Sequence, residues 1–97
     1  MIGISSVKID DKDCLGLKVD LPESPPMVMI IGGKGFVMCG LLNVETAEKL
    51  GVAAAMVSGV KNIEEALNAQ VKATTSKARS LGVELGMKGA DALRRMC

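Results

Sequence analysis

Two nearly continuous apolar runs, residues 27–31 (MVMII) and 36–42 (FVMCGLL), stand on either side of Gly32-Gly33-Lys34-Gly35. A strand with one wet face alternates apolar and polar residues, so unbroken apolar runs belong to strands covered on both faces. The intervening glycines suit a tight turn because they reach positive φ at no steric cost. These runs therefore predict a central hairpin, and the rest of the chain has to supply the layers that cover it.

Upstream, Pro22, Pro25 and Pro26 form a breaker, since proline lacks the N–H and restricts the residue before it. Before that breaker, Leu15, Leu17, Val19 and Leu21 recur at period two with Gly16, Lys18 and Asp20 between them, the signature of a half-buried strand over residues 14–21. Residues 2–9 carry Ile2, Ile4, Val7 and Ile9, an alternation that slips once at Ser5-Ser6 and so predicts a strand with a bulge. Asp10-Asp11-Lys12-Asp13 reads as the turn joining the two.

Downstream, Asn43 is placed to cap a helix over residues 44–50, with Gly51 as its stop, and residues 52–57 follow as a short buried strand. Asn62 is a second cap. From it Ile63, Ala66, Leu67, Val71, Thr74, Ala78 and Leu81 run at helical spacing to Gly82, which predicts one long helix. Residues 83–85 read as a last short strand and residues 90–97 as a terminal helix with Ala90, Leu93 and Met96 or Cys97 inward. The resulting class is α+β: one domain over residues 1–97, with a mixed sheet of about five strands, N-terminal hairpins and three helices packed against it.

Composition then limits function. Hydrophobic residues make up 48% of the 97, yet Phe36 is the one aromatic residue, so the core is aliphatic. A small domain leaves much of its surface exposed, and a mean hydropathy of +0.32 gives it more apolar surface than one core hides; a homo-oligomer is expected. A net charge of +1 supplies no field for nucleic acid or anionic membrane, and without Trp or Tyr there is no stacking platform for bases. The absence of His removes the usual metal ligand and general base. Cys14, Cys39 and Cys97 are odd in number and far apart, unlike a disulfide framework or a paired zinc motif, which fits a reducing cytoplasm. No apolar run approaches the length of a membrane span, and the start of the chain lacks a secretory pattern.

Three places could carry chemistry. Gly32, Gly33, Lys34 and Gly35 form either a plain turn with Lys34 in water or an anion site on backbone amides, though neither GxxxxGK[ST] nor GxGxxG is present. Cys39, followed by Gly40 and then by the cap Asn43, is either a small core hydrophobe or a thiol acidified by a helix N-terminus, with Gly40 admitting a close ligand. Asp10, Asp11 and Asp13 suggest a hard cation, but Asp is also an ordinary turn residue, and no metal or cofactor is expected. Lys34 and Cys39 would lie at opposite ends of one strand, roughly 15 Å apart at about 3.3 Å per residue.

The segment GFVMCG from Gly35 to Gly40, Leu42-Asn43-Val44, the stretch from Ala55 to Val60, Ile63-Glu64-Glu65-Ala66-Leu67 and GVELGMKGADAL from Gly82 to Leu93 together resemble the YunC-like family, a domain of unknown function in short bacterial and archaeal proteins. The resemblance spans most of the chain and implies a single cytoplasmic α/β-type domain, with no catalytic residues to carry over. The leading expectation is a non-catalytic homo-oligomeric module that takes a small ligand at a subunit interface. The alternative is a small-molecule enzyme or thiol-dependent protein using Cys39 with an anion held at the Gly32–Gly35 turn.

Overall fold

The computed structural model describes all residues, Met1–Cys97. Its centre is one six-stranded sheet in which spatial order equals chain order: β1 (Ile2–Ile9), β2 (Lys12–Val19), β3 (Met27–Ile31), β4 (Gly35–Met38), β5 (Ala53–Met56) and β6 (Ala73–Thr74). All neighbours are antiparallel except β4 and β5, which run parallel. A parallel pair needs a crossover, here α1 (Val44–Leu50). Three more helices follow: α2 (Ile63–Asn68), α3 (Ser76–Ser80) and α4 (Gly89–Met96).

The α+β class and the mixed sheet are as expected, with six strands and four helices in place of five and three. The extra elements come from the predicted long helix, which is three pieces. Its apolar stripe is real, since Ala66, Val71 and Ala78 all reach the main core, but they do so from α2, the approach to β6, and α3. The β-branched run around Val71, Thr74 and Thr75 disfavours helix. Thr75 instead caps α3, its Oγ1 accepting from the Ala78 N–H at 3.3 Å. Residues 83–85 are not a strand: Gly82 and Gly86, at φ +100° and +88°, bend the chain on both sides of them.

The helices are unequally shared between the two faces of the sheet. Val7, Ile9, Cys14, Val28, Ile30, Val37, Ala53 and Ala55 point to one face and form the main core with Ala66, Ala78, Ala92, Leu93 and Met96 of α2, α3 and α4. The other face meets only α1, whose Ala47 packs on Met38 and Ala54. The buried polar group that ties the layers together is Thr75: its hydroxyl accepts from the Ala54 N–H at 3.0 Å and donates to the Val52 carbonyl at 2.8 Å.

Candidate functional site

The glycine turn sits against the end of α4. Its glycines are not needed for positive φ, which occurs at Gly51, Gly59, Gly82 and Gly86 but at none of Gly32, Gly33 or Gly35. They are needed for space. A Cβ on Gly32 would come 2.8 Å from the Met96 carbonyl oxygen, and one on Gly35 would come 2.6 Å from the Ala53 carbonyl oxygen and 2.8 Å from Met96 Sδ. Two of the turn amides are also engaged, Gly32 N–H donating to the Gly35 carbonyl at 2.8 Å and Lys34 N–H to the Met96 carbonyl at 2.7 Å. For an anion the turn keeps the Gly33 N–H and the side-chain charge of Lys34. A surface depression of about 300 Å³ beside the turn is lined by Lys34 and Lys77 with no carboxylate on its wall.

At the far end of β4, Cys39 is buried in the main core, its Sγ 3.5 Å from the Val28 N–H that points at it. Gly40 follows in a turn closed by Leu42 N–H donating to the Cys39 carbonyl at 3.1 Å, which is why β4 stops at Met38 and does not extend to Leu42. Asn43 caps α1: its Oδ1 accepts from the Glu45 and Thr46 N–H groups at 2.8 and 3.3 Å. The structure thus splits the sequence candidates into two groups, Gly32 to Gly35 with Lys77 at one end of β4 and Cys39, Gly40 and Asn43 at the other. Lys77 was not among them; it reaches the turn only through the folding of α3 beside β5, and no local pattern marks it.

The feature that composition anticipated lies on the outer face of the sheet. Pairing places side chains there in rows that cross the strands: Ile2 and Val19; then Ile4, Leu17, Met29 and Met38; then Ser6, Leu15, Ile31 and Phe36; and last Lys8 beside Asp13. The regular apolar stripe of β2 is therefore not the buried side of a half-buried strand. Cys14 and Gly16 face the helices, and Leu15, Leu17 and Val19 face out. The slip at Ser5-Ser6 is not a bulge either, because the β1–β2 register is continuous from Ile2 with Val19 to Ile9 with Lys12. It marks where the apolar residues of β1 change face, from Ile2 and Ile4 outside to Val7 and Ile9 inside. Ile2 and Ile4 on the edge strand β1 are 64% and 68% exposed, and next to them Leu15 of β2 is exposed as well, so the apolar surface here is uncovered. The row ends in an apolar groove of about 290 Å³ under α1, walled by Phe36, Met38, Leu42 and Leu50 with Asn43 at its rim.

No helix is long and apolar enough to cross a membrane. No cluster of three or more Cys, Asp or Glu has the arrangement of a metal site, and the Asp10-Asp11 turn instead holds Arg94 of α4 by a 3.0 Å ion pair to Asp10.

Residues 38–96 match a family described as a domain of unknown function, DUF1805. Over 99% of its length the chain is 30% identical to the uncharacterized protein YunC of Bacillus subtilis, of which it covers 98%. The fold is also similar to the crystal structure of TA1206, a protein of unknown function from Thermoplasma acidophilum, at a TM-score of 0.94 and 34% identity, covering the whole chain and 94% of that one.

Proposed function

The chain belongs to the DUF1805 family, whose function is unknown, and on that footing we propose that it acts as a non-catalytic cytoplasmic homo-oligomeric module, with the outer sheet face as the contact between copies. The observation that carries this reading is the outer face of β1, β2 and β3, where Ile2, Ile4, Leu15, Leu17, Met29 and Ile31 lie with no helix over them. Three strands at about 4.8 Å spacing and three rows about 6.6 Å apart give a flat footprint on the order of 300 Å² before side-chain relief is counted. That matches the lower end of the largest patch of a typical monomer, roughly 300–600 Å². Exposed Leu50 and the groove under α1 extend it toward the roughly 800 Å² per partner of a standard interface. The near-neutral net charge of +1 raises no barrier between copies. In such an assembly the groove under α1 would lie at the edge of the contact, a place for a small apolar ligand.

The test is sedimentation or light scattering of the wild type and of Ile4→Lys/Leu15→Lys. The wild type is expected to be dimeric or larger at micromolar concentration and the variant monomeric, with an unchanged circular dichroism spectrum because both side chains point outward. A wild type that stays monomeric at every concentration refutes the reading.

A second reading, a protein acting on a small anion, is favoured by Lys34 and Lys77 on one carboxylate-free depression. It places the anion at the opposite end of β4 from Cys39. Titration with inorganic phosphate, followed by the amide resonances of Gly33 and Lys34, tests it; no shift at millimolar phosphate removes it.

A further inference from the structure

Two sulfurs that play no part in either surface sit against each other. Cys14, on the helix-facing side of β2, and Cys97, directly after α4, hold their Sγ atoms 2.6 Å apart although 83 positions separate them in the chain. Non-bonded carbons rest about 3.5–4.0 Å apart and sulfur is the larger atom, so a thiol hydrogen bond is a poor description of this approach. A disulfide bond at about 2.05 Å needs only a small further movement. Cys14 is buried and Cys97 partly exposed, so a reagent reaches the pair through Cys97. Cys39 lies elsewhere in the core, against Val28 of β3, and is not a competing partner.

We propose that Cys14 and Cys97 form a reversible intramolecular disulfide by exchange with a small-molecule disulfide, making the pair a redox modification site that fastens the end of α4 to the first hairpin. Cys97 gives its proton to solvent and its thiolate attacks one sulfur of the small disulfide. That S–S bond breaks, a mixed disulfide forms on Cys97, and one small thiolate leaves. Cys14 then gives up its proton and attacks Cys97 Sγ, forming the protein disulfide and expelling the second small thiolate. The two released thiolates take up the two protons, so two electrons pass from the protein thiols to the small disulfide.

The order of attack follows from position. Burial, then the close approach and charge of Cys97, push the Cys14 thiol up to about 12, so it is the resolving and not the entering sulfur. Once Cys97 carries the mixed disulfide its charge is gone and burial is the main cause still holding the Cys14 thiol up, a penalty offset by the effective molarity of about 10⁵ M or more available to a group already in contact. Because the closed loop takes in most of the chain, oxidation is expected to raise the thermal midpoint by on the order of 10 °C.

The experiment incubates the native protein with excess oxidised glutathione, then alkylates under denaturing conditions and weighs it. The expected product has lost two hydrogens, takes a single alkyl group at Cys39, gives a linked Cys14–Cys97 peptide on non-reducing digestion, and melts higher until dithiothreitol is added. Cys39→Ser should behave the same way, and Cys14→Ser and Cys97→Ser should show neither the link nor the higher midpoint. Three alkylated thiols after incubation, a glutathione adduct on Cys97 that never resolves, or a disulfide between two copies would each overturn the proposal.

Discussion

Gly89 opens α4 at the point where that helix crosses α2, and a single methyl group there should cost more than its helix propensity returns. A Cβ at this position would be driven into the carbonyl oxygen of Ala66, 3.1 Å from its carbonyl carbon and 3.5 Å from Leu67 Cα. These are backbone atoms and cannot rotate away. Propensity alone favours alanine over glycine by about 1 kcal/mol in a helix interior. Against this, ordinary contact is restored only if α2 and α4 part by about 1 Å, and a radial gap of 0.5–1 Å forfeits a quarter to a half of each dispersion contact across the junction. That junction holds Ala66, Ala92 and Leu93 of the main core. The Gly89 N–H also donates to the Ala69 carbonyl at 2.8 Å, a bond worth about 1 kcal/mol that the parting would stretch. With overpacking at about 1–3 kcal/mol, Gly89→Ala should be less stable than wild type by about 2–3 kcal/mol, lowering the thermal midpoint by roughly 10–20 °C. Urea denaturation measures it, with Gly3→Ala as control because the nearest obstacle there is 3.9 Å away. A Gly89→Ala protein as stable as wild type would show that the α2–α4 junction is not closed by backbone contact, and the reasoning would fail.

Thr75→Val keeps the shape but strands the Ala54 N–H and the Val52 carbonyl, so a loss of about 2–4 kcal/mol is expected in the same assay, with Thr75→Ser recovering most of it. Glu48 accepts from the Ser76 N–H and Oγ at 2.8 and 3.1 Å, and these bonds hold its carboxyl below its usual value. A carboxyl depressed on folding contributes stability that is present above its unfolded pKa and lost as pH falls through its folded one. Unfolding titrations of wild type and Glu48→Gln should therefore converge as the pH drops below about 4.5 and separate above it; curves that stay parallel from pH 3 to 7 would show that the bonds to Ser76 do not form in solution.

How much of this was legible in the chain depended on which kind of signal carried it. Local chemistry read well: Asn43 and Asn62 both accept bonds from their helix starts, and Gly51 ends α1 at φ +73°. Periodicity fixed that residues 14–19 are a strand, but not which side of it is covered, because alternation is the same whether the apolar phase faces helices or a second copy. Only the placement of α2 and α4 resolves Leu15 as outer and Cys14 as inner. The stripe from Ile63 to Leu81 misled for a related reason. Three short elements bent around one core keep a common inward direction, and the caps at Thr75 and the left-handed Gly82 were the cues that break it. The terminal GMKG segment is explained by two different needs, positive φ at Gly86 and backbone contact at Gly89. Among the candidate site residues, separation along β4 was foreseeable at 3.3 Å per residue. The meetings of Lys34 with Lys77 and of Cys14 with Cys97 were not, since each joins parts of the chain that come together only in the finished fold.

A sheet whose strands lie side by side in the order they are written has a consequence for the ribosome. Each strand from β2 to β6 pairs with the one made before it, so the sheet can grow by addition as the polypeptide emerges, by short turns up to β4 and through α1 and α2 for β5 and β6. The exception is α4, which comes last and packs under β4, with Met96 against Gly35 and Arg94 reaching back to Asp10 at the first hairpin turn. Until it arrives, Val7, Ile9, Ile30 and Val37 lack part of their cover. At translation rates of about 5–20 residues per second that interval lasts seconds, during which the inner face carries α2 and α3 alone and the outer face of β1 to β3 is bare, so apolar surface on both sides of the sheet is exposed to neighbouring chains.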